Sequence, residues 1–263
     1  MFDNRLSRGL LIVPMLLWAA ACSDTPNDPL DAAEEAQLNL DVAAYAADQA
    51  VDDIAMMTYE TAGAFGGPMA GPPGGGMHGF GFDGSLSVTR TVEFFDDVGG
   101  PMDGYHAENT DSIHFYFLLE GERSRTTDLG SWSMEVYRER SMGVSGLAGI
   151  ETQRTWNGFG ETEKERAMVS DTRGDRSYEM SSTSTITEVL IPVPRTEGSW
   201  PISGTIHRTV YVDWEKPNWT GTREREVLIT FNETQFVPIV VNGTEYTFDL
   251  ATKKIVENDS AAS

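Results

Sequence analysis

The chain has 263 residues, and 41 acidic against 19 basic side chains give it a formal charge of −22. A surface of that sign repels phosphate backbones and anionic lipid headgroups, which excludes nucleic acid as an expected partner. The only cysteine is Cys22, so no internal disulfide can form and the fold must be held by its own core.

The first segment is basic and then apolar. Arg5 and Arg8 precede GLLIVPMLLW, and Ala19, Ala20 and Ala21 lead directly to Cys22. A basic start, a short apolar run and a small-residue exit form a secretory leader, and the run is too short to span a bilayer. Ala19 to Cys22 resemble the lipobox of bacterial lipoproteins, with Ala19 where that family more often has Leu. The resemblance covers about the first 24 residues. It implies cleavage before Cys22 and a diacylglyceryl group on its thiol, with an acyl chain such as palmitate on its amine. Two or more such chains make a stable membrane anchor where one would not. Ser23 follows the cysteine, and the sorting rule of that family then implies the outer membrane. Without residues 1–21 the chain has 17 basic and 40 acidic residues, a net charge of −23.

Residues 22–62 comprise a short tether, SDTPND, and an acidic helical segment. Asp28 and Pro29 have the character of an N-cap and first helical position. Val42, Ala46, Ala50, Ile54 and Met57 recur at spacings of three and four, which predicts one apolar stripe laid on a sheet. Asn39 suggests a break, with Asp41 capping a second helix. Residues 63–84 hold ten Gly and three Pro and have the composition of a flexible linker. Met69, Met77 and His78 within it are a weak copper motif.

From Ser85 to Ser263 the pattern switches to period two. About nine to eleven alternating segments, rich in Val, Ile, Thr, Tyr and Phe and broken by Gly-bearing turns, predict an antiparallel meander. The fold class is therefore mainly β, as a half-barrel, barrel or sandwich. Asn242-Gly243 between FVPIVV and TEYTFDL predicts a tight type I′ hairpin. Four N-x-[ST] sequons, at Asn218, Asn232, Asn242 and Asn258, are expected coincidences in a Thr-rich β protein.

Parity along the strands puts charge on the apolar side. Arg90 falls with Val92 and Phe94, Arg154 with Trp156, and Arg208 with Ile206, Val210 and Val212. Glu188 falls with Tyr178, Met180, Ile186 and Leu190. Buried charges are costly unless paired. Two accounts follow: cross-strand Arg–Glu pairing on a partly wet face, or a cavity whose arginines meet an anionic or lipidic ligand.

The acidic loop carrying Asp96, Asp97 and Asp103 could hold Ca²⁺, although it lacks EF-hand spacing. His78, His106, His114 and His207 form no recognised metal or nucleophile motif, and no dinucleotide or phosphate-loop fingerprint occurs. The expectation is a non-enzymatic, cofactor-free lipoprotein of the envelope, a structural or binding module. The alternatives are a carrier of hydrophobic ligands, a calcium module and a hydrolase. Expected partners are the membrane through Cys22 and a hydrophobic ligand or envelope protein.

Overall fold

The computed structural model describes residues 32–63, 86–127, 130–168, 176–194, 196, 198–216 and 219–256. The leader, Cys22, the 64–84 segment with Met69, Met77 and His78, and Asn218 and Asn258 lie outside them.

The first element is one helix, α1, over Ala32–Gly63. It is Ala-rich and holds no Gly or Pro before its last residue, so no backbone breaker interrupts it. The expected break at Asn39 is absent. Asn39 is buried and its Oδ1 accepts a hydrogen bond from Arg225 Nε at 2.8 Å, a tertiary contact that outweighs a weak helical preference. The stripe of Val42, Ala46, Ala50, Ile54 and Met57 is buried throughout. Burial goes further, to Leu38, Ala43, Tyr45, Ala47, Gln49 and Asp53, so α1 is enclosed on more than one side. Small alanines let the surrounding backbone come close on those sides.

Among the described residues eleven strands follow, all antiparallel in one sheet. They are β1 (Leu86–Phe95), β2 (Pro101–Met102), β3 (Ser112–Thr127), β4 (Gly130–Ser145), β5 (Gln153–Met168) and β6 (Arg176–Pro192). Then come β7 (Ser203–Lys216), β8 (Trp219–Thr230), β9 (Phe236–Val241), β10 (Thr244–Asp249) and β11 (Lys254–Val256). Neighbours in sequence are neighbours in space, except that two-residue β2 lies outside β1 and lets β1 pair with β3. The sheet is an open meander with edges at β2 and β11, not a closed barrel. Both edge strands are very short, which limits unwanted pairing. The Asn242-Gly243 hairpin forms as expected: φ is +45° and +85° there, as a type I′ turn requires.

Period two holds along most strands, with Val210 and Val212, Val227 and Ile229, and Val237, Ile239 and Val241 turned to the core. It fails once where it matters. The β6–β7 register slips between Thr187 and Leu190, and Glu188 sits at φ +49°. That bulge reverses the side order: Glu188 is exposed, while Val189 and Ile191 are buried. The expectation of an inward Glu188 is thereby corrected. Gly204 makes the bulge possible, since a Cβ there would lie 2.4 Å from the Glu188 carbonyl oxygen.

Candidate functional site

The inner face of the sheet is a set of cross-strand rows, because in-register residues on antiparallel strands share a side. One row runs Arg90, Phe117, Arg140, Gly160, Ser184, Arg208, Val227 across β1 and β3 to β8. The adjacent row runs Leu119, Arg138, Thr162, Ser182, Val210, Arg225. Small residues on β5 and β6 thus separate arginines on β4 from arginines on β7 and β8. Gly160 gives Arg140 its space: a Cβ there would lie 2.4 Å from Arg140 Cδ, so the long side chain lies over bare backbone.

The arginines are met by α1. Asp53, with no exposed side-chain surface, lies between two of them. Its Oδ1 accepts from Arg140 Nε at 2.8 Å and its Oδ2 accepts from Arg208 Nη2. Arg140 Nη1 also donates to the carbonyls of Glu139 and Glu161 and to Thr162 Oγ1. One turn back on the helix, Arg138 Nη2 donates to Gln49 and to the half-exposed Asp52, the latter at 2.8 Å. Near the start of α1, Arg225 donates to Asn39 and, at 2.5 Å, to Glu35. Between these, Tyr45 Oη and Ser182 Oγ share a hydrogen bond at 3.2 Å. Helix and sheet are therefore joined by a ladder of polar contacts along one side of α1, inside an otherwise apolar core.

Electrostatics follow from that geometry. Burial pushes the Asp53 carboxyl up, but Arg140, Arg208 and Arg138 outweigh it and hold the group below the usual carboxylate range. Burial lowers Arg140, whose charge is also opposed by Arg208 and Arg138. Burial raises the Tyr45 phenol, leaving it neutral at pH 7. Four guanidinium nitrogens of the ladder keep no hydrogen-bond partner: Arg208 Nε and Nη1, Arg140 Nη2 and Arg138 Nε, the first three on side chains with no exposed surface.

The residues singled out in the sequence are dispersed by the fold. Arg208 is in the ladder. Arg90 shares its row but is half-buried, with its guanidinium carbon 5.6 Å from the Phe115 ring centroid. Arg154 is buried six residues along β5 from Gly160 and pairs with Glu151. Glu188 faces outward. In the β1–β2 loop, Asp96 Oδ1 accepts from the backbone N–H groups of Val98 and Gly100, closing the turn, while Asp97 in that loop and Asp103 just after β2 are exposed. Among the described residues no group of three or more His, Cys, Asp or Glu converges as a metal set would. Four of the inner-face arginines, Arg138, Arg140, Arg208 and Arg225, are thus paired with the helix, while Arg154 is paired with Glu151.

Arg138, Arg140, Arg225 and Asp53 were not anticipated. The signal was available: Arg138 and Arg140 share parity with Met142 and Val144, and Arg225 with Val227 and Ile229. The matching acids are a polar flank on the same helix as the apolar stripe.

Among the described residues no helix is long and apolar enough to cross a membrane. No family model, curated protein or solved structure matches the chain.

Proposed function

We propose that this protein is a lipoprotein of the bacterial envelope, tethered through Cys22 to the outer membrane, and that it acts as a non-enzymatic structural or binding module. The observation that carries the module half of this proposal is Asp53, fully buried between Arg140 and Arg208. The chain's own helix occupies the inner face of the sheet, where a carrier would take its cargo. What such a protein offers an envelope partner is its outer face and loops. The address is supported by the basic–apolar–small leader ending at Cys22.

Two measurements test the proposal. Expressed in a diderm bacterium with labelled palmitate, the protein is expected to take up label and to sediment with outer-membrane vesicles, and Cys22→Ser to abolish both. Native mass spectrometry of the detergent-extracted protein is expected to give the chain plus its covalent acyl groups. A further non-covalent lipid mass, lost on Arg208→Met, would instead favour the carrier.

A further inference from the structure

We infer that Arg208 and Arg140 hold one small inorganic anion, of halide size, in the core between the sheet and α1. The inference does not depend on where the protein resides or what it does there.

Charge in the ladder does not balance. Three guanidinium groups, Arg138, Arg140 and Arg208, face one fully buried carboxylate, Asp53, and one half-exposed carboxylate, Asp52. Among the described residues Tyr45 is a further ionisable neighbour, whose phenol stays neutral and whose hydroxyl hydrogen-bonds to Ser182. The second acid–arginine pair, Glu35 with Arg225, is matched within itself. One positive charge is left in a region shielded from water.

Donors do not balance either. Arg208 has five N–H bonds. Only Nη2 has a protein acceptor, Asp53, and neither Nε nor Nη1 has one. Arg140 adds Nη2 to the same account. Buried donors in folded proteins are satisfied by protein, water or an ion, so this many on a fully buried cation calls for an occupant. Water would satisfy donors but leave the charge; an anion does both. The strands beneath carry small side chains: Ser184 is the in-register neighbour of Arg208, and Ser182 lies in the adjacent row, while the space over Gly160 is taken by Arg140. Ser184 donates its hydroxyl to the Gly160 carbonyl, so it does not consume the arginine donors. Side chains with no exposed surface exclude a lipid headgroup or a peptide carboxylate, which would need a path for the rest of the molecule.

The test uses the full-length protein and simple salts. Denaturant unfolding is measured in sodium chloride, bromide and gluconate at equal ionic strength, which holds charge screening constant. A single site empty in the unfolded state makes the unfolding constant fall about tenfold for each tenfold rise in halide above its dissociation constant. Gluconate, too large to enter, is expected to lack that slope. Arg208→Gln is expected to remove the halide slope, and Asp53→Asn, which deletes the competing negative charge, to make it set in at lower halide concentration. Should either variant fail to fold, wild-type crystals soaked in bromide decide. An anomalous peak within hydrogen-bonding range of Arg208 Nε or Nη1 supports the site. Identical unfolding in halide and gluconate, or ordered water at Arg208 with bromide only at the surface, overturns it.

Discussion

The inner face of the sheet has two regions that hold the same helix by different means. Towards one end, Ile113, Met142, Val144, Trp156, Ile186, Ile206 and Ile229 form an apolar surface, with Phe115 and Trp156 stacked at 5.7 Å between centroids. In the middle, Arg138, Arg140, Arg208 and Arg225 form a basic band that meets Glu35, Asn39, Gln49, Asp52 and Asp53. Apolar burial is non-directional and would tolerate α1 rotated or slid by a turn. The band tolerates neither. Only one setting of the helix puts Asp53 between Arg140 and Arg208 while Asn39 reaches Arg225 and Gln49 reaches Arg138. Driving force and position are thus assigned to different parts of one surface, and substitution can separate them.

The largest expected effect is at the band. Asp53→Ala strands two buried guanidiniums and is expected to cost about 3–5 kcal/mol in denaturant unfolding. Replacing Asp53, Arg140 and Arg208 together by Leu, Met and Met is expected to recover most of that stability, because the buried charges that remain, Arg138 and Arg225, keep their partners Asp52 and Glu35. If the band sets position, the recovered protein should give broadened amide resonances along α1. Sharp wild-type-like spectra would deny the band that role.

At the apolar end, Ile206→Ala is expected to cost about 2–5 kcal/mol with the helix setting unchanged. Gly160→Ala pushes a methyl group into Arg140 and is expected to cost about 1–3 kcal/mol. The discriminating control is Gly160→Ala in the Arg140→Met background, where the penalty should shrink. Smallest is Glu35→Gln at the half-exposed start of the ladder, expected below about 1 kcal/mol and fading with salt.

Acid sharpens the same contrast. Asp53 has its folded pKa below the unfolded value of about 3.9. Its contribution is therefore complete above about pH 4 and is lost as pH falls through the lower folded value. A melting profile from neutral pH down to strong acid should show Asp53→Asn already destabilised at neutrality, with less further loss below pH 4 than wild type.

Much of the fold was legible because it is written locally. Alternation marked the strands, the 3–4 spacing marked the buried stripe of α1, and Asn242-Gly243 marked its hairpin. What failed was non-local. Asn39 continues the helix because Arg225 reaches it, and Glu188 turns outward because Gly204 on the next strand accepts a bulge. The inward arginines were visible by parity for Arg208, and the same test applied to β4 and β8 would have found Arg138, Arg140 and Arg225. Their partners were not visible, since no local spacing connects a helix near residue 50 to strands beyond residue 130.

That separation governs how the molecule is made. Asp53 and Arg208 are 155 residues apart, and Glu35 and Arg225 are 190 apart. A chain synthesised from its N-terminus completes the helix long before the strands that will enclose it exist. The final hairpins then have to close over a segment that emerged first, and ribosome-bound or truncated chains ending before β8 would lack Arg225, the partner of Asn39 and Glu35.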